Sequence, residues 1–237
     1  MARKRWKKKR RKALEKRDET PESSNNKHYY MILIALVLVI IAGYYLVIPR
    51  SKTPSIDAEK IQGKFVLVEN NAYTHEPGKV GMLEFFDFYC GHCYLLHKTL
   101  PNLQTKYGEK LEVTYVGFPL RPTSYLPLEA YELALEQGKG EEMKDVIYAA
   151  IHVDNKDVSD METLRGFAEE AGLDIEEFEE GLRSRKKKSK INDNLALGNS
   201  YGLKGTPTVI LDGQIMVTDN SQENLNTIIK SLLEDEV

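Results

Sequence analysis

The sequence predicts an α/β fold in which a mixed sheet is interrupted by a block of helices and preceded by one membrane-spanning helix. Three observations predict it: twenty uncharged residues from Tyr29 to Ile48, short β-branched and aromatic runs before residue 119 and after residue 207, and helical spacing over residues 128–201. At 237 residues there is room for one medium domain and an appendage.

The N-terminal part divides by charge. Residues 1–28 hold 12 Lys/Arg against 4 Asp/Glu, a net of +8, and the overall −3 leaves −11 for the remainder. The apolar run 29–48 has the ~20 residues a helix needs to cross ~30 Å of hydrocarbon. Tyrosine pairs Tyr29/Tyr30 and Tyr44/Tyr45 mark its ends, at the level where aromatic side chains meet headgroups. The basic segment 1–28 is expected in the cytoplasm and everything after Arg50 outside, because lysine and arginine beside a span stay inside. A nucleic-acid-binding arm and a cleaved signal peptide are the competing readings; the apolar run exceeds the ~7–15 residues of a signal-peptide core. Residues 49–62 read as a linker, and 63–237 as the folded domain.

Within that domain, Phe65–Val68 and Gly81–Phe88 read as strands, separated by Asn70-Asn71 and Pro77-Gly78. A helix is expected to start around Cys90, with Leu95, Leu96, Leu100, Leu103 and Tyr107 at helical spacing and Pro101 kinking it. Leu111–Phe118 alternates as a third strand, and Pro119–Pro127 reads as a loop. Residues 128–201 hold helices at Glu129–Gln137, Glu141–Ile151, Asp160–Ala171 and Ile175–Leu182. Thr208–Leu211 and Gln214–Val217 form a hairpin across Asp212-Gly213, and a last helix, capped near Asn220 or Ser221, carries Leu225, Ile228, Ile229, Leu232 and Leu233 on one stripe.

The only cysteines form Cys90-Gly91-His92-Cys93. A ring over so few residues constrains the unfolded chain little, so reactivity explains the pair better than stapling does. At a strand-to-helix junction the first sulfur lies at the helix N-terminus, where unpaired amides and the dipole favour a thiolate. Cys90 is then the exposed nucleophile, and Cys93, half-buried, the resolving thiol. A zinc site would draw on Cys90, His92, Cys93 and His97, but no second Cys-x-x-Cys or His pair completes the four ligands of a closed structural site. No metal and no cofactor are expected beyond a redox-active Cys90–Cys93 disulfide.

Three further candidates surround the pair. His92 is placed to stabilise the Cys90 thiolate, or is simply an exposed helix-start residue. Glu84, in a strand that otherwise reads as buried, is a candidate for proton transfer with Cys93, or an edge-facing residue reaching water. Thr206-Pro207, before a strand, suits a cis peptide that presents the Thr206 backbone as a strand-like dock for substrate, with an ordinary trans turn as the alternative. The run Arg185-Lys186-Lys187-Lys188-Ser189-Lys190 reads as a solvated helix face, with contact to anionic headgroups or a partner as the sharper alternative.

Taken together, Leu83-Glu84-Phe85-Phe86-Asp87-Phe88-Tyr89-Cys90-Gly91-His92-Cys93, Phe118-Pro119-Leu120 and Gly205-Thr206-Pro207-Thr208 resemble the DsbA family of disulfide oxidoreductases over about residues 60–235. The resemblance implies a thioredoxin fold with an inserted helical block about 128–201, Cys90 as nucleophile, Cys93 as resolving cysteine, Thr206-Pro207 as the cis-proline loop and Glu84 as the buried acid. Some members pair that acid with a lysine; Val113 and Thr114 occupy that strand region here. The implied activity is a membrane-anchored dithiol oxidase acting on cysteine-containing extracytoplasmic proteins. It would be reoxidised by a membrane partner of DsbB or vitamin K epoxide reductase type, with no nucleic-acid partner. The alternatives are a reductase or isomerase of the same fold, and a non-catalytic tethered peptide-binding module.

Overall fold

The computed structural model describes residues 29–39, 57–68 and 74–234. The chain divides into two compact units, Met1–Lys52 and Thr53–Val237. In the first, residues 29–39 are helical with exposed side chains. The basic segment 1–28, residues 40–48 of the expected span and residues 49–56 of the linker lie outside the described residues. Among the described residues no helix is long and apolar enough to cross a membrane.

The second unit runs β1 (Phe65–Leu67), β2 (Val80–Phe86), α1 (Gly91–Tyr107), β3 (Leu111–Gly117), α2 (Tyr125–Glu136), α3 (Gly140–His152), α4 (Met161–Ala171), α5 (Ile175–Arg183), α6 (Lys188–Ser200), β4 (Thr208–Leu211), β5 (Ile215–Val217) and α7 (Gln222–Glu234). Its five-stranded sheet has the order β1-β5-β4-β2-β3. The β2–β3 pair is parallel, Val80 opposite Leu111, with α1 as the crossover; β4 lies antiparallel to β2, Thr208 opposite Phe85. The hairpin between β4 and β5 turns on Asp212 (φ 45°) and Gly213 (φ 78°), both in the left-handed region that a tight two-residue turn requires. Register therefore carries Thr208, just after the Thr206-Pro207 peptide, to the end of β2 that feeds Cys90.

Strand alternation divides the packing. From β2, Val80 and Met82 join Leu96, Leu100 and Leu103 of α1 and Leu225, Ile228 and Ile229 of α7 in one core, while Phe85 packs on the opposite face with Val116, Phe118 and Ile210. Phe86 enters the core of the helical block with Cys93, Tyr131 and Tyr148. Glu84, two residues from both Met82 and Phe86, shares their face, directed toward α1 and the helical block.

Three local expectations need correction. β2 stops at Phe86 rather than Phe88, because the buried carboxylate of Asp87 accepts backbone N–H groups from Tyr89 (2.9 Å) and Leu120 (2.7 Å) and draws the chain out of the sheet. The loop after β3 is shorter than 119–127. A single 3₁₀ turn at Pro122–Ser124 leads into α2 at Tyr125, and Pro127 lies in the first helical turn, where a missing N–H breaks no internal bond.

The basic run is not simply a solvated face. Arg185 holds φ 56° at the α5–α6 junction and makes a two-pronged pair with Glu129 of α2, Nε to Oε2 at 2.8 Å. Lys186 and Lys187 both pair with Glu136. The charges stitch the junction to α2, a partnership between elements some fifty residues apart that helical periodicity does not contain.

Candidate active site

Cys90 occupies the N-cap of α1, the position at which a Ser, Thr, Asp or Asn side chain commonly accepts from the exposed amides of the first turn. Its backbone is extended (φ −87°, ψ 113°) and its Sγ accepts from the N–H of Cys93 at 3.3 Å. The first turn of α1 contains no Asp or Glu, so no carboxylate competes for the positive end of the helix. The thiol is pulled down to about 5, first by a hydrogen bond from the Cys93 side chain and further by the backbone N–H groups of Cys93 and His92, against the opposing effect of partial burial. Cys90 is consequently a thiolate at neutral pH.

Cys93 is in the opposite situation. It is completely buried rather than half-buried, packed in the aromatic core of the helical block, and burial pushes its thiol far up, with the interaction with Cys90 acting in the same direction. Both cysteines are free thiols. Two sulfurs three residues apart thus differ in the way exchange chemistry needs: an accessible thiolate, and a protonated thiol behind it.

The Thr206–Pro207 peptide is cis and brings the Thr206 carbonyl within 3.2 Å of Cys90 Sγ, which donates to it when protonated. Beside this contact a groove of about 690 Å³ opens between the start of α1, the cis-proline loop and the residues leading into α7, with Leu95, Pro207 and Asn220 among its lining. His92 is exposed and also lines the groove. Among the causes that lower Cys90 it acts through its backbone N–H.

Glu84 is 2% exposed, and its Oε2 has no hydrogen-bond partner among the described residues. Burial pushes its carboxyl up to about 7, opposed by the charge of Lys144 and reinforced by Glu141 and Cys90. The expectation that this acid lacks a basic neighbour is corrected here. Val113 and Thr114 do occupy β3, but Lys144 enters from α3 with 1% exposure, its Nζ 3.1 Å from the centroid of the Tyr115 ring and 2.9 Å from a carboxylate oxygen of Glu141. A signal for it existed in the sequence. Lys144 lies three and four residues before Ile147 and Tyr148, on the buried face of α3.

Other contacts tie the helical block to the active-site helix. The ring of His97 stacks on Tyr148 with centroids 4.7 Å apart and bonds Asp145 at 2.9 Å, while His152 stacks on Tyr94 (4.8 Å) and donates from Nε2 to the Phe88 carbonyl (2.8 Å). Of the residues singled out from sequence, Cys90, Cys93, Thr206 and Pro207 meet around one sulfur, and Glu84 lies behind them. Lys144, Asp87 and the groove residue Asn220 were not anticipated as parts of the site.

A strand-to-helix Cys-x-x-Cys opposite a cis-proline loop defines the class: a thioredoxin-fold domain whose site is built for thiol–disulfide exchange. The chain belongs to the DSBA-like thioredoxin domain family, whose profile matches residues 82–131 and 124–230. It is 27% identical over 138 residues to the thiol:disulfide interchange protein DsbA of Burkholderia cepacia, covering 58% of this chain and 65% of that protein, just under two thirds of its length. The DsbA of Pectobacterium carotovorum subsp. carotovorum is 27% identical over 168 residues, 69% of this chain and 79% of that one. The crystal structure of the oxidoreductase DsbA from Xylella fastidiosa superposes with a TM-score of 0.63 at 20% identity, covering 78% of this chain and 98% of that one, and at that identity speaks to the fold.

Proposed function

We propose that this protein is a membrane-anchored dithiol oxidase that introduces disulfides into extracytoplasmic proteins. The observation that carries the reading is the capping geometry of Cys90. A thiolate held near pKa 5 stabilises the reduced enzyme, and a stabilised reduced form makes its disulfide a stronger oxidant.

In the reaction, a substrate thiolate attacks Sγ of Cys90 in the Cys90–Cys93 disulfide. The S–S bond breaks, its electron pair goes to Cys93, and a mixed disulfide joins substrate to Cys90. Cys93, with its high proton affinity, takes up a proton, for which the buried carboxyl of Glu84 is the nearby source. A second substrate thiolate then attacks the substrate sulfur, and Cys90 leaves as the thiolate its helix stabilises. The substrate loses two electrons and two protons overall, and the enzyme gains two electrons. A membrane oxidant of DsbB or vitamin K epoxide reductase type would return Cys90 and Cys93 to the disulfide. Thr206 and Pro207 would align the substrate chain beside the sulfur.

Anchoring rests on the twenty uncharged residues 29–48 and the basic segment before them, which would leave the redox domain outside. The names of the relatives, thiol:disulfide interchange proteins, support the exchange chemistry. Cys90→Ser tests it: oxidation of a reduced, unfolded protein should fall to background, and retention of full activity would overturn the assignment.

A further inference from the structure

Asn220 sits in the turn between β5 and α7 and lines the groove beside Cys90. Its Nδ2 donates to the carbonyl of Pro207 at 3.0 Å, the peptide next to the Thr206 carbonyl that touches the sulfur. The other end of the same amide, Oδ1, is buried with no hydrogen-bond partner among the described residues. Burying an unpaired acceptor is unfavourable, which leaves the donor end as the favourable contact of this amide.

The turn that carries Asn220 is itself held from three directions. Asn224, in the first turn of α7, accepts from the Lys64 N–H (2.7 Å) and donates to the carbonyls of Lys64 (3.1 Å) and Asp219 (2.8 Å). Asp219 accepts from the Ser221 N–H at 3.0 Å and pairs with Lys64 Nζ at 3.0 Å. Thr218 N–H donates to the Lys64 carbonyl at 3.1 Å. Asn220 is therefore a donor on a fixed mount, anchored to the residue that enters β1 and reaching across the groove wall to the cis-proline loop.

We infer that Asn220 is a positioning residue for substrate binding: by holding the Pro207 carbonyl it fixes the cis-proline loop in the orientation that presents the Thr206 backbone to an incoming extended peptide. The inference rests on the exchange reaction proposed above. It assigns to Asn220 no contact with the reacting sulfur, so its loss should act on peptide capture rather than on electron transfer. A preformed dock spares the peptide the ordering of that loop on binding.

The test compares the full chain with its Asn220→Ala and Asn220→Leu variants, using a reduced peptide dithiol as substrate. Asn220→Leu keeps the approximate shape, adds no charge and loses the amide's donor. Both variants should raise KM for the peptide about fivefold or more, with a much smaller change in kcat, the scale of one hydrogen bond lost from a pre-organised site. Thiolate absorbance should still titrate at Cys90 as in the parent, which separates this outcome from failure of the redox reading, where Cys90→Ser remains active. Unchanged KM in Asn220→Leu would overturn the inference, as would equal losses in KM and kcat accompanied by a shifted Cys90 titration.

Discussion

The Sγ of Cys90 accepts the backbone N–H of Cys93 at 3.3 Å, and the same Cys93 side chain is the largest influence holding the Cys90 thiol down. The resolving cysteine thus activates the nucleophile before any disulfide exists. Cys93→Ala should raise the Cys90 titration midpoint from about 5 toward the ordinary thiol range without abolishing the backbone hydrogen bond. Thiolate absorbance against pH reads this directly; an unmoved midpoint would assign the activation to the helix terminus alone.

Glu84 gives a stability signature whose sign follows from its raised carboxyl. Its ordinary value is 4.5 and its folded value about 7, so the folded state prefers the protonated form. The penalty is absent below 4.5, grows as pH rises through that window and is complete above about 7. Glu84→Gln, which cannot ionise, should gain about 3 kcal/mol relative to the parent on going from pH 4 to pH 8. Denaturant unfolding of both proteins at the two pH values measures it, and a constant difference would show that the carboxyl does not change charge in that range.

Lys144 supplies the positive charge that opposes this rise. In Lys144→Met the Glu84 carboxyl should titrate above its present value of about 7. Carboxyl-selective NMR of Glu84 against pH is the check. A fall in the Glu84 midpoint would contradict the placement of Lys144 as its stabilising neighbour.

The Arg185–Glu129 pair is a stability element remote from the chemistry. Glu129 is 1% exposed and Arg185 43%, so removing the guanidinium leaves a carboxylate buried without its partner. Arg185→Ala should destabilise by about 2–3 kcal/mol, less than a fully buried pair because water reaches the guanidinium side. Glu129→Gln should cost less, and in the double variant the two losses should not add.

Much of the site was legible in the sequence because its parts are local. Cys90 and Cys93 share one helical turn, the strand before them is continuous, and Thr206-Pro207 precedes a clear hairpin strand. The hairpin turn was readable from Asp212-Gly213, whose left-handed backbone few other pairs tolerate.

What escaped depends on tertiary placement. Lys144 shares its helix face with Ile147 and Tyr148, but it lies among Glu141, Glu142 and Asp145, and that polar stretch masks its burial until α3 docks against α1 and β3. Asn220 looked like a helix cap, and only the fold turns its amide toward Pro207. The lysines and arginine at 185–187 acquire their partners from α2, which periodicity within one helix does not reveal.

The central claim is that stabilisation of the Cys90 thiolate makes the Cys90–Cys93 disulfide an oxidant. The reduction potential of the full chain, equilibrated against glutathione redox buffers, tests it most directly. A value between about −180 and −120 mV is the predicted result, and one near about −270 mV would contradict it and turn the reading to a reductase.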